Sequence, residues 1–333
     1  MIYYRNFLLV INCLAFLILQ NQTQAQNLKQ ITPSPVGLHI SVDYVSDQVA
    51  YAINTNGFLS KTIDGGKNWQ QTSTNFSGLV STFDIDFVNE SIGVMIGNNG
   101  KISKTTDGGV TWKEITSGTT EDLIDIFFLD SQTGFIAGRG GTLLKSTDGG
   151  NSWTSLTSGT SKNIRSIHFA DALNGYAAGV ETALKTTDGG STWTSMFSNA
   201  TGLLFEQVQF LTSQKGYLIN GGVLWITNNG GTNWTASSIN GSVQTHKFIF
   251  TDENTVYAIK TLSIDVYKST DGGASWTKLT TPFTQNITAQ QHHNLHFLDN
   301  NKGYLVGNTG LILQTTDGGT TWVQRNTTLL KTW

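Results

Sequence analysis

The stretch GYAAGVETALKTTDGGSTWTSM, residues 175–196, decides how this chain is read. Two short runs of strand length, residues 175–179 and 183–187, flank a tight connection. Asp188-Gly189-Gly190 is then a turn signal, and Trp193 opens a last run to Met196. Just upstream, residues 164–169 alternate, with apolar side chains at Ile167 and Phe169, and Asp171 to Asn174 supply turn residues. The segment therefore reads as four antiparallel strands with an Asp-Gly-Gly turn between the third and fourth.

Working outward, the same unit recurs seven times. Its turn acid and tryptophan are Asp64 and Trp69, Asp107 and Trp112, Asp148 and Trp153, then Asp188 and Trp193. Asn229 and Trp234, Asp271 and Trp276, and Asp317 and Trp322 complete the set. Successive tryptophans are 43, 41, 40, 41, 42 and 46 residues apart, a period that marks propeller blades. A four-stranded unit apolar on both faces is not stable alone and must sandwich against neighbours. The expectation is an all-β, seven-bladed β-propeller filling residues 26–333 as a single domain. The turn aspartates read as structural: a carboxylate at a tight turn accepts nearby backbone N–H groups, and glycine permits the positive φ such turns need. Calcium wants several oxygen ligands where each loop offers one carboxylate, and Asn229 keeps the turn chemistry without the charge. Each tryptophan is expected to fill the wedge between adjacent blades. Two segments compete for the outer edge of the last blade, residues 29–32 and residues 322–325.

Residues 1–25 read as a secretory signal peptide: Arg5, an apolar run from Phe7 to Leu19, and cleavage near Ala25. The run is too short to span a bilayer comfortably, so no membrane span is expected after cleavage and the protein is read as secreted or periplasmic. The sole cysteine, Cys13, lies in that segment, which leaves the mature chain without disulfide, thiolate metal site or cysteine nucleophile. Removing one basic residue takes the charge from −3 to 19 minus 23, or −4. With three arginines left (Arg139, Arg165, Arg325), nucleic acid is not an expected partner.

These motifs resemble the Asp-box, or bacterial neuraminidase repeat. Units such as residues 175–196 and GYLVGNTGLILQTTDGGTTWVQR, residues 303–325, are similar to the photosystem II stability/assembly factor family of seven-bladed propellers. The resemblance spans essentially the whole mature chain. In photosynthetic organisms it implies a non-enzymatic chaperone of photosystem proteins, and relatives also occur as secreted proteins elsewhere. It further implies that the Asp-box turns lie on one face of the disc and the first-strand starts on the other.

Aligned on Tyr44, Phe87, Phe128, Phe169, Phe210, Phe250 and Phe297, the residue three before reads Ser41, Asp84, Asp125, Ser166, Gln207, Lys247 and Asn294. The residue four before reads Ile40, Phe83, Ile124, Arg165, Glu206, His246 and His293. Both sets are expected at the channel mouth, acidic near blades 2 and 3 and basic near blades 6 and 7, with Arg139, Glu181 and Lys260 bordering it. Asp84, Asp125, Arg139, Arg165, Glu206, His246, Lys247, His292 and His293 are thus the candidate partner-binding residues. His292, His293 and His296 fall short of a complete metal set, so neither metal nor cofactor is expected.

The leading function is a monomeric, non-enzymatic binding or assembly module for a protein or polysaccharide, using the face opposite the Asp-box turns. The alternative is a glycoside hydrolase. A sialidase needs three convergent arginines, which Arg139, Arg165 and Arg325 do not provide, and xyloglucan-cleaving relatives use two propellers. Asp84 and Asp125 on neighbouring strands remain a possible carboxylate pair, provided they stand about 5–9 Å apart.

Overall fold

The computed structural model describes residues 39–54, 57–76, 82–237, 245–260, 265–281, 292–307 and 311–325. These form seven four-stranded antiparallel sheets, each with its strands in chain order, arranged as the seven-bladed β-propeller read from the repeat. The blades open with His39–Tyr44, Thr82–Phe87, Leu123–Phe128, Ile164–Phe169, Phe205–Phe210, Thr245–Phe250 and His292–Phe297. These first strands are innermost, and the fourth strands, as short as Thr194–Ser195, lie at the rim. No helix among the described residues is long and apolar enough to cross a membrane. Residues 1–25, read as a signal peptide, and residues 29–32 lie outside the described residues.

Each Asp-Gly-Gly turn joins third strand to fourth and is knit by its own polar atoms. In blade 3 the Ser146 hydroxyl donates to Asp148 Oδ1 (2.8 Å) and accepts the Gly150 N–H (2.8 Å). Asp148 Oδ1 also accepts the N–H groups of Asn151 and Ser152, both at 3.0 Å, while Oδ2 accepts the Ser152 hydroxyl. With so many donors converging, the Ser152 hydroxyl foremost, the Asp148 carboxyl is held down at about 2. Asn229 repeats the essential part: its Oδ1 accepts the Thr227 hydroxyl (3.0 Å) and the Asn233 N–H (2.9 Å). The turn docks on the hairpin between first and second strands, as in Gly149 N–H to Gln132 O at 2.8 Å.

The blades are joined by a repeated aromatic sandwich. A second-strand ring stacks on the aromatic that ends the next blade's first strand, as in Tyr176 on Phe210 (3.3 Å) and Tyr257 on Phe297 (3.8 Å). The tryptophan of that next blade then meets the sandwich edge-on, as Trp234 meets Phe210 at 6.0 Å and 89°. The wedge role expected of the tryptophans holds. Blade 2 departs from the pattern with Val94, which packs beside Phe128. The Phe169 ring lies so close over the start of the second strand that a Cβ on Gly175 would sit 2.4 Å from it.

A second device stitches the same seams. The lysine before the turn hydroxyl reaches across to the next blade's turn: Lys61 Nζ donates to Gly108 O, Lys145 to Gly189 O, Lys185 to Gly230 O and Lys268 to Gly318 O, at 2.8–3.2 Å. Each also passes over its own blade's second-strand ring, as Lys145 over Phe135 at 5.4 Å. Blade 5 has Ile226 there, and Lys215 takes over by donating to Glu253 O (2.5 Å). The last seam uses Gln314, whose Nε2 donates to Gly65 O at 2.6 Å. That seam closes the circle, with Tyr44 stacked on Tyr304 at 4.7 Å. Val323–Gln324 pairs with Leu313 and Gln314 and so fills the outer-strand slot of the last blade.

Candidate functional site

The first strands surround a channel of about 400 Å³. An innermost strand has no strand beyond it, so its channel-facing N–H groups need another acceptor. Polar side chains of the preceding blade supply it. Asp84 Oδ2 accepts the Ile126 N–H (3.2 Å), Asp125 Oδ2 the Ile167 N–H (2.6 Å), Ser166 Oγ the Val208 N–H (3.2 Å) and Gln207 Oε1 the Phe248 N–H (3.1 Å). One layer deeper, Asp43 Oδ2 accepts the Phe87 N–H (2.7 Å), Asp86 Oδ2 the Phe128 N–H (2.7 Å) and His168 Nδ1 the Phe210 N–H (3.4 Å). At the closing seam Asn294 Nδ2 donates to Ile40 O (3.2 Å), and His296 Nδ1 lies 3.3 Å from Val42 O and 3.5 Å from Asp43 Oδ1.

Burial of these groups sets their titration. The Asp125 carboxyl is pushed up to about 7 by burial first and by Asp84 beside it, with Lys247 opposing. Burial also drives Asp86 well above the usual carboxylate range, with Asp43 adding to the rise, and raises Asp43 itself against the pull of His296. The His168 imidazole is held down at about 4 by burial. The channel is therefore acidic over blades 1 to 3 and faces Lys247 from blade 6.

The structure separates the two sets of residues expected to share the mouth. Asp84, Asp125 and Lys247 line the channel; Arg165 and Glu206 do not. The cause is a register shift at the residue four before the aromatic in blades 1, 2, 4, 5, 6 and 7, with its counterpart at Ala137/Gly138 in blade 3. Such a bulge gives the strand an extra residue and re-aims the one before it, so Leu123, Ile164 and Phe205 are buried in the blade core. The extra residue stands aside: Arg165 is exposed, and Glu206 is half-buried, its carboxyl raised by burial against the pull of Arg165. Arg139 begins the turn Arg139–Gly141 between second and third strands, paired with Asp122 at 3.2 Å. The side chains of His246, His292, His293 and Lys260 lie outside the described residues. Asp84 and Asp125, the possible carboxylate pair, both line the channel, and each accepts a backbone N–H of the next blade.

Sequence reasoning does not find the deeper layer of Asp43, Asp86, His168 and His296, of which it singles out His296 alone, in the histidine cluster. Its signal was present, since these residues precede the aligned aromatic by one, an even distance from the residue three before it. Among the described residues no group of three or more His, Cys, Asp or Glu side chains is arranged to hold a metal ion.

Comparison with known proteins completes the picture. No curated protein matches the chain. A structure of YCF48 bound to D1 peptide superposes with TM-score 0.70 at 17% identity, covering 87% of this chain and 97% of that one. YCF48 from Cyanidioschyzon merolae gives 0.69 at 18%, covering 87% and 98%. The GH74 xyloglucanase from Xanthomonas campestris gives 0.71 at 14%; the match covers 90% of this chain but 56% of the enzyme. At these identities the likeness establishes the fold. The family model described as photosynthesis system II assembly factor YCF48 matches residues 76–161, 152–291 and 282–332, and the chain belongs to that family.

Proposed function

We propose that this protein is a non-enzymatic binding and assembly module that takes a protein partner on the face opposite the Asp-Gly-Gly turns. The observation that carries the proposal is the use made of the channel carboxylates. Asp43, Asp84, Asp86 and Asp125 each accept a backbone N–H from the next blade, so these acids serve the ring itself. A glycoside hydrolase needs two carboxyls held apart across a sugar, about 5–9 Å from each other. The opposite face carries exposed Arg139 and Arg165 with partly exposed Glu206, the mixed charge that suits a polar protein surface. That a YCF48 structure contains D1 peptide supports a protein over a polysaccharide as the partner class.

The same reading includes export, with cleavage near Ala25 releasing a chain that begins at Gln26, and action as a monomer outside the cytoplasm. Intact mass and amino-terminal sequencing of the native protein test export, and retention of the leader refutes it. Partner binding is tested with photo-crosslinking residues placed singly at Arg139, Arg165 and, on the turn face, Lys67. The same protein crosslinked from the first two sites and not from the third supports the proposal. Crosslinking from Lys67 alone, or turnover of chromogenic glycosides that Asp84→Asn abolishes, overturns it.

A further inference from the structure

We propose that the seam between blades 5 and 6 holds a binding site for a primary carboxamide, the group carried by a glutamine side chain. Each seam takes one lysine from one of two positions. Lys61, Lys104, Lys145, Lys185 and Lys268 come from the third strand, and the residues before their second strands are Val49, Ile92, Thr133, Asn174 and Thr255. In blades 5 and 7 the lysine instead precedes the second strand, as Lys215 and Lys302, and the third strand offers Ile226 and Gln314. Two ammonium groups at one seam would repel, so the two positions exclude each other. The closing seam shows what a third strand without lysine can supply. Gln314 Nε2 donates to Gly65 O (2.6 Å) and to the Tyr304 hydroxyl (3.0 Å), and its Oε1 accepts from Arg325 Nε (2.9 Å). Ile226 is too short and too apolar for this, and an open cleft of about 480 Å³ lies beside it, lined also by Lys215, Asn228, Ser237, Asp271 and Gly272.

The groups that Gln314 serves have counterparts at this seam: Gly272 for Gly65 and Tyr217 for Tyr304. At ordinary seams the tyrosine hydroxyl donates to the next blade's hairpin, as Tyr51 does to Glu90 O (2.7 Å) and Tyr176 to Ser213 O (3.0 Å). Here Lys215 Nζ takes that carbonyl, Glu253 O (2.5 Å), and the buried Tyr217 hydroxyl has no partner among the described residues. The three groups converge on Gly272, where a Cβ would stand 3.3 Å from Glu253 O, 3.4 Å from Lys215 Nζ and 3.8 Å from the Tyr217 hydroxyl. A carboxamide answers this set: its two N–H donors serve Gly272 O and the Tyr217 hydroxyl, and its carbonyl accepts a further N–H of Lys215. Pairing a buried hydroxyl that is otherwise unmet favours the bound state. An ammonium ligand would meet Lys215, and a carboxylate would meet Asp271, which the Ser269 hydroxyl helps to hold ionised at about 2. The cleft lies at the Asp-Gly-Gly turns, away from the face proposed for the protein partner, so either reading can fail without the other.

The test titrates the full mature protein with propionamide and follows the amide resonances of Gly272, Gly273 and Ala274. These should shift saturably with a dissociation constant of about 10 mM, weak because the probe is small. Gly318 and Gly319, at the next seam where Lys268 is in place, should not move. Tyr217→Phe, which keeps the ring stacked on Phe250 (3.5 Å), should weaken binding about 3–10-fold through loss of one hydrogen bond. Ile226→Gln, which copies the closing seam, should abolish it. The peptide acetyl-Ala-Gln-Ala-N-methylamide distinguishes the sources of the amide. Saturation below propionamide assigns the site to the glutamine of another protein, and saturation no lower assigns it to a free amide. The wild-type titration needs no variant, so a variant that fails to fold leaves the test intact. No shift at Gly272 by about 100 mM propionamide, or equal saturation by propionate or propylammonium, overturns the proposal.

Discussion

Replacing Trp69 with alanine probes the seam that turns a stack of blades into a ring. Trp69 is 1% exposed and sits edge-on to Tyr304 at 5.3 Å and 73°. Its neighbours Val42, Tyr44, Val306 and Ile312 come from the first and last blades. An indole buries roughly 200 Å², which at roughly 25 cal/mol/Å² is a gross transfer gain of about 5 kcal/mol, an upper value because the unfolded chain also shields some of that area. Truncation of a buried tryptophan leaves a cavity as well, and the expected cost of Trp69→Ala is about 3–5 kcal/mol. Its Nε1 has no hydrogen-bond partner among the described residues, so no broken hydrogen bond among them offsets or enlarges that figure. Trp193 is partly exposed and donates its Nε1 to Gly190 O (3.1 Å), so Trp193→Ala serves as a comparison at an ordinary seam. Urea titration followed by circular dichroism measures both. Because Trp69 joins residues far apart in sequence, its loss should also lower the slope of the transition as the closing seam opens ahead of the rest. A cost below about 1 kcal/mol with an unchanged slope would refute the account of closure given above.

Other outcomes follow from individual contacts. Gly175→Ala, whose added carbon would meet the Phe169 ring at 2.4 Å, should cost about 1–3 kcal/mol through overpacking, measured by the same titration. Asp148→Asn should cost less than about 1 kcal/mol, because Asn229 makes the turn unaided, whereas Asp148→Ala should cost about 1–2 kcal/mol, seen as a lower melting temperature. For His168 the folded value of about 4 lies below the ordinary 6.5, so its contribution is complete above about pH 6.5 and is lost as pH falls toward 4. His168→Gln, which keeps an acceptor for the Phe210 N–H, should therefore flatten the acid limb of stability against pH. An acid limb identical to wild type would remove the imidazole as its cause.

Much of the fold was legible because its determinants are local and repeated. Strand alternation, the turn hydroxyl with its acid, and the tryptophan all act within one blade, so a single unit read correctly gave the other six. The lysines at 61, 104, 145, 185 and 268 were equally visible in the motif, yet their role was not. A reach across to the next blade's turn is a relation between units and appears only when the units are docked. The candidate site was read in part for the same reason. Counting back from the aromatic found Asp84, Asp125 and Lys247, but the bulge at the next residue removed Arg165 and Glu206 from the channel lining.

The amino-acid sequence alone determined the number of blades, the order of strands and the chemistry of each turn, because those rest on hydrogen bonds and side-chain periods spanning a few residues. Only the tertiary structure decided that the channel acids cap the neighbouring strand and that Val323–Gln324 takes the outer slot of the last blade. Those facts depend on how seven units meet around one axis. A strand that gains one residue turns the side chain before it from channel to core, and no local pattern in this chain announced the gain.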